Sequence, residues 1–335
     1  MRLGVAIQET WGFFNEIFDD FQKRYDVTVF KRRSWQLPIF HARINQFLYC
    51  RDLKNFMARN DVVFFEWASE LLITASHLPK VGGIVTRLHR YELYQWVNRI
   101  NWDAVDKIIL VSHAKKREFI EKFPSQADKI EVSGPSTSLE KFTPLSKTFN
   151  GDIGILCHLT PRKRVYDLIL TFYQLLQQKN DLHLHIAGGM DPAFEDYHYA
   201  LKSVVTDLGI QENVTFYGNV SEPSNWYHKI DIFISHSYSE GLQVAPMEAM
   251  ASGCYCLAHH WRGAEELLPA EYLYYTDAEL MDKILQYCKI SDIEKLKQKK
   301  YMRAHAQENF DIKQTIKQVV GAVDEVAASM SIKKK

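Results

Sequence analysis

The sequence predicts an α/β protein made of two doubly wound domains, each a parallel sheet of Rossmann type covered by helices. Three observations predict it. Short apolar runs of strand length alternate with stretches of helical period from one end of the chain to the other. That pattern runs twice. A cluster of Ser, Gly, Pro and Thr at 133–138 separates the two runs. A length of 335 residues suits two domains of about 150 residues each.

In the first run the strand candidates are 3–7, 27–30, 62–66, 84–88, 107–111 and 129–132. Most are rich in Val, Ile and Phe. Unbroken apolar strands, as opposed to alternating ones, belong to parallel sheets buried on both faces. The Gly/Pro/Ser break follows and ends near Pro144, without hydrophobic period, as in a linker. The second run has strand candidates 153–157, 183–187, 214–217, 232–235 and 254–258. Between its first two strands, Val165, Leu168, Ile169, Phe172, Leu175 and Leu176 share one helix face. From about Asp277 the chain reads as helix. The basic stretch 295–300 is expected on a solvated face, and the tail 333–335 is all lysine.

Hydrophobic residues at 46% and charged residues at 24% exclude a disordered or collagen-like chain. Lys+Arg and Asp+Glu are 41 each, so no global basic field favours nucleic acid. No apolar run approaches the roughly 18 residues needed to span a bilayer. The first strand meets Gln8 and Glu9 too early for a signal peptide. Five cysteines, odd in number and without CxxC spacing, fit a reducing cytoplasm. P-loop, GxGxxG, HExxH and GxSxG motifs are all missing, which argues against ATPase, ordinary dehydrogenase, metalloprotease and serine hydrolase. No two aspartates stand at i and i+2, so a DxD metal–diphosphate clamp is missing too.

The most informative stretch is 237–253, SYSEGLQVAPMEAMASG, directly after a strand. A turn at Ser239 or Glu240 leads through Gly241, where backbone can approach a ligand, into a helix starting near Val244. Pro246 suits its first turn. Free N–H groups at such a helix start face the carboxyl end of the sheet and suit an anion such as a diphosphate. Glu248 lies among Met247, Ala249 and Met250. A carboxylate there needs hydrogen bonds. Vicinal sugar hydroxyls would supply them, and so would a neighbouring backbone. Earlier in this half, Arg162, Lys163 and Arg164 put three cations at a strand-to-helix turn, again suited to an anion.

These residues resemble a known family. Glu240 and Glu248 match the E-x7-E pair of glycosyltransferase family 4, retaining enzymes of the GT-B fold. Its pattern is close to SxxEGFGLxxLEAMAxGxPV. The chain matches at Ser237, Glu240, Gly241, Glu248, Ala249, Met250, Ala251 and Gly253. It departs at Leu242 and Gln243, where Phe-Gly is usual, and at Tyr255, where Pro is usual. CHLTPRKR at 157–164 resembles the family's GRLxxxKG segment. Lys163 then falls on the lysine that binds the donor diphosphate, and His158 replaces an arginine, with Arg162 or Arg164 left to compensate. IAGG at 186–189, FYGNV at 216–220 (with Gly218 in the turn beside the base) and RGAEE at 262–266 resemble further family turns. TRLH at 86–89 resembles the strand-end segment whose histidine, here His89, lies close to the transferred sugar. Gly12 stands where the family has a glycine-rich loop near the donor phosphates.

The resemblance implies two Rossmann-like domains facing across a cleft. It makes 1–145 the acceptor-binding domain, 146–310 the nucleotide-sugar-binding domain, and 311–335 a helix returning to the first domain plus a basic tail. It also implies metal-independent transfer from a nucleotide-diphosphate sugar to a glycan, lipid-linked or small-molecule hydroxyl. His89, Glu240 and Lys163 are the expected catalytic residues. Gly12, His158, Arg162, Lys163, Gly218, Glu240, Gly241, Leu242, Gln243, Val244 and Glu248 are the expected donor contacts. No cofactor and no nucleic-acid partner are expected. A non-catalytic nucleotide-sugar-binding partner, and a GT-B hydrolase, epimerase or phosphorylase, stay open. Cys254, Cys256, His259 and His260 could be read as a zinc site, but the two cysteines belong to an apolar strand. The cationic and aromatic segment 31–49 is open to two readings, a membrane-surface or acceptor element and an ordinary packed helix. The expected location is the cytoplasm, with peripheral contact at the inner membrane face through the first domain.

Overall fold

The computed structural model describes residues 1–12, 14–33 and 41–333. The chain divides into two compact units, one of Met1–Pro135 with Lys313–Lys335, the other Ser136–Ile312.

The first unit holds strands β1 (Arg2–Ala6), β2 (Asp26–Val29), β3 (Val62–Glu66), β4 (Gly83–Leu88), β5 (Lys107–Leu110) and β6 (Ile130–Val132). All pair in parallel, in the order β2-β1-β3-β4-β5-β6. Its helices are α1 (Asn15–Arg24), α2 (His41–Arg59), α3 (Glu70–Ser76), α4 (Arg90–Gln95) and α5 (His113–Lys122). Strand β3 shows why the apolar runs were unbroken. Val62 and Phe64 enter one core with Leu3, Val5 and Phe21, while Val63 and Phe65 enter the core on the opposite face with Ala6 and Leu72. Period-two alternation within a wholly apolar strand fills both faces at once.

The second unit holds β7 (Asp152–Leu156), β8 (His183–Ala187), β9 (Val214–Gly218), β10 (Ile232–Ser235), β11 (Tyr255–His259) and β12 (Leu273–Tyr274). This sheet is also parallel, ordered β12-β11-β10-β7-β8-β9. Its helices are α6 (Val165–Leu176), α7 (Glu195–Asp207), α8 (Pro223–Tyr227), α9 (Val244–Ala251), α10 (Asp277–Lys289) and α11 (Asp292–Asn309). The last helix, α12 (Ile312–Lys333), buries Val319, Val323 and Val326 in the first unit's core beside Leu3 and Val62. Gly83 permits that approach, because a Cβ there would collide with the Val326 side chain. The first unit thus ends at Pro135, earlier than the expected 145, and regains the chain at Lys313. Strand β12 was not expected, since two residues carry no readable period.

In each sheet the chain order reverses once, between β1 and β3 and between β7 and β10. Loops leaving the carboxyl ends on either side of such a point diverge and leave a crevice for a ligand.

Candidate functional site

At the second unit's switch point, the turn after β7 meets the loop after β10. Pro161 opens one turn of 3-10 helix over Pro161–Lys163, and Arg164 follows with a left-handed backbone (φ 53°) before α6. That turn directs Arg162 and Lys163 onto Glu240. Lys163 Nζ donates to Glu240 Oε1 at 2.7 Å, and Arg162 Nη1 donates to the same oxygen. Arg162 also donates to the Ser239 carbonyl at 2.8 Å, which ties the two loops together. Glu240 itself is buried. Burial pushes its carboxyl up, but Lys163, Arg162 and hydrogen bonds from Lys163 and Ser237 outweigh this and bring it to about 2. The carboxylate is ionised and shared by two cations.

Helix α9 starts four residues later, at Val244. Its N-cap residue, Gln243, makes no side-chain cap, so the first backbone N–H groups of the helix are not met by a capping side chain. Gln243 turns its carboxamide back to Ser235 Oγ and to Ser237 Oγ (3.0 Å) instead. Gly241 is buried, and Leu242 packs partly into the core. Glu248 lies one turn further along the helix. Tyr227 OH donates to Glu248 Oε2 at 2.9 Å and also lies 3.0 Å from the Ala245 carbonyl.

The remaining expected donor contacts lie elsewhere. His158 is exposed on the β7 loop, and it is Arg162 that reaches Glu240. Arg164 turns to Asp167 and Asp277, both at 3.3 Å. Gly218 ends β9, two strands from β7, with φ 64°. Close by, Gly188 (φ 133°) faces the Cys157 carbonyl, where any Cβ would clash. Cys254 and Cys256 are buried, with thiols pointing at the carbonyls of Tyr227, Ile230 and Cys254 at 3.5 Å, and His260 stacks on Tyr275. Among the described residues no cluster of three or more His, Cys, Asp or Glu side chains is placed to hold a metal.

Beside the first unit's switch point, His89 follows β4, the strand next to β3, as the N-cap of α4. Its backbone N–H donates to Glu92 Oε1 at 3.1 Å as half of a capping box. Its Nε2 lies 2.9 Å from Glu66 Oε1, an oxygen that also accepts from Arg87 Nη1 at 3.4 Å. Glu66 and Arg87 face each other in the β3–β4 register, so the pairing follows directly from the sheet. Trp67, in a left-handed backbone (φ 78°), stacks its indole on the imidazole at 4.0 Å and donates from Nε1 to the Thr10 carbonyl at 3.1 Å. Tyr91 OH donates to Glu9 Oε1 at 3.1 Å. Gly12 is exposed, its N–H held by Thr10 Oγ1 at 3.2 Å.

Sequence reasoning did not single out Tyr227, Glu66, Trp67 or Arg87. An acidic residue ending an otherwise apolar strand, as Glu66 does, was the one available signal. In segment 31–49, residues 34–40 lie outside the described residues. Around them Arg33 pairs with Asp52 at 2.7 Å, Arg32 lies over the Tyr49 ring, and Phe47 is exposed. Among the described residues no helix is long and apolar enough to cross a membrane.

Residues 150–289 match the family model for glycosyl transferases group 1. An uncharacterized glycosyltransferase of Haemophilus influenzae is 32% identical over 149 residues, which is 44% of this chain and 40% of that protein. A D-inositol 3-phosphate glycosyltransferase of an Arthrobacter species is 26% identical over 165 residues, 45% of this chain and 38% of the relative. The chain therefore aligns with less than half the length of these curated relatives. Anabaena HepE, solved in complex with UDP and glucose, superposes with a TM-score of 0.81 at 18% identity, over 97% of this chain and 99% of that one. The fold is GT-B. A second GT-B neighbour, sucrose-phosphate synthase from Thermosynechococcus elongatus, gives a TM-score of 0.77 at 14% identity, over 98% of this chain and 100% of that one.

Proposed function

We propose that the chain is a retaining, metal-independent glycosyltransferase of family 4 that moves a sugar from a nucleotide-diphosphate sugar to a hydroxyl acceptor. The observation that carries this reading is the Arg162–Lys163–Glu240 cluster at the second sheet's switch point, beside the start of α9. Breaking the anomeric bond leaves negative charge on the diphosphate. Two preset cations and the helix N-terminus suit that charge without reorganising during the step. In this reading Glu240 also holds the donor sugar's hydroxyls, Glu248 the ribose hydroxyls, and the backbone of Gly241 to Val244 approaches the phosphates. By the family resemblance, His89 is the further side chain proposed to contact the transferred sugar. The leaving phosphate oxygen takes the acceptor's proton, so no protein base and no cofactor is required. The UDP and glucose bound by HepE support UDP-sugars as the first donors to try.

The test is a thermal-shift panel of UDP-, GDP- and ADP-sugars, followed by transfer of a labelled sugar. A donor present at about 100 times its dissociation constant adds about 2.7 kcal/mol of stability. One nucleotide class should stabilise the protein and be consumed. No shift with any of them would overturn the reading.

A further inference from the structure

The loop that carries Glu240 contains a chain of hydrogen bonds whose directions are all determined. Glu240 is ionised and can only accept, so the Ser237 hydroxyl bonded to it must donate. Ser237 then has only lone pairs for its other neighbour, Gln243 Nε2, which donates at 3.0 Å. The amide oxygen is left facing Ser235 Oγ, which donates to it. Ser235 and Ser237 are both buried, so each link is shielded from competing water. At the far end Glu240 grips Lys163 and Arg162. In the resembled family pattern the position of Gln243 is a glycine, which has no side chain to make such a chain of bonds.

We propose that Gln243 is a positioning residue whose carboxamide sets the Ser237 hydroxyl and, through it, the Glu240 carboxylate that holds Lys163 and Arg162. The inference rests on the donor-site reading above, which gives Gln243 a backbone role, and adds a separate role for its side chain. Removing the carboxamide frees the Ser237 hydroxyl to rotate, and Glu240 loses a fixed donor. Glu240 then leans harder on its two cations, which compete less well for a phosphate. Reversing the polarity with Gln243→Glu goes further. Ser237 has one hydrogen and cannot give it to two carboxylates.

The experiment is a double-mutant cycle on the full chain, read by calorimetry with inorganic pyrophosphate, which needs no knowledge of the nucleotide or sugar. Gln243→Met should weaken pyrophosphate binding by about threefold to tenfold, the scale of one neutral hydrogen bond. In a Ser237→Ala background the same change should have less than a twofold effect, because the link is already broken. Gln243→Glu should weaken binding more than tenfold. Gln243→Gly replaces Gln243→Met if the methionine variant does not fold. Equal effects in both backgrounds, or unchanged affinity in Gln243→Met, would overturn the proposal. If wild type does not bind pyrophosphate, the donor-site reading fails. The cycle is then read in urea unfolding, where additive effects of positions 237 and 243 would likewise overturn the proposal.

Discussion

Glu240→Gln should act with opposite signs on folding and on diphosphate binding. In the free protein one carboxylate oxygen serves both Lys163, at 2.7 Å, and Arg162. At an effective dielectric of about 20, unit charges at 2.7 Å attract by about 6 kcal/mol. Desolvation offsets most of this. The Arg162 and Lys163 side chains keep 28% and 14% exposure, so water screens them once the carboxylate is gone. The expected net loss of stability is about 1–3 kcal/mol, read from urea unfolding. A diphosphate would then meet two cations with no carboxylate to displace. UDP affinity should rise about threefold to tenfold by calorimetry, up to about 1.4 kcal/mol. Turnover should fall on the order of 100-fold, because the proposed contact to the donor sugar is lost. Weaker UDP binding in Glu240→Gln would refute the view that this carboxylate occupies the phosphate-binding cations.

Three further outcomes are expected. Glu248→Gln should weaken UDP binding about tenfold, the scale of a charged hydrogen bond to ribose, and unchanged affinity would remove Glu248 from that role. Glu66→Ala should cost about 3–5 kcal/mol in urea unfolding, because it removes a buried carboxylate whose one oxygen meets both Arg87 and His89, whereas a loss below about 1 kcal/mol would show that this pairing carries little of the stability. The Glu240 carboxyl sits near 2 when folded, against an ordinary 4.5, so its stabilising contribution is complete above about pH 4.5 and disappears as pH falls towards 2. The stability gap between wild type and Glu240→Gln should narrow over that window, and a pH-independent gap would contradict the assignment.

The alternation of strands and helices was legible because each central strand is apolar on both faces, as Val62 to Phe65 show. The short strand β12 and the end of the first unit at Pro135 were not. Two paired residues leave no period, and a linker's composition does not mark which side of it packs. In the second unit, Arg162, Lys163 and Glu240 could be named because local turn chemistry marks each loop. The sequence alone did not show that one carboxylate oxygen takes both cations, since the loops are 77 residues apart and meet only through the reversal of strand order. Tyr227, which meets Glu248, is 21 residues away on α8. Glu66 and Arg87 are joined by strand register, and the stacking of Trp67 on His89 depends on a left-handed backbone that no local pattern announced.

Lys163 is proposed to stabilise a leaving diphosphate without a divalent metal. The direct measurement is turnover of the stabilising nucleotide sugar in EDTA, for wild type and Lys163→Ala. Wild type should stay fully active, and Lys163→Ala should lose about 2–4 kcal/mol of transition-state stabilisation, on the order of 100- to 1,000-fold in rate. Activity that vanishes in EDTA and returns with manganese or magnesium, or equal turnover in the two proteins, would contradict it.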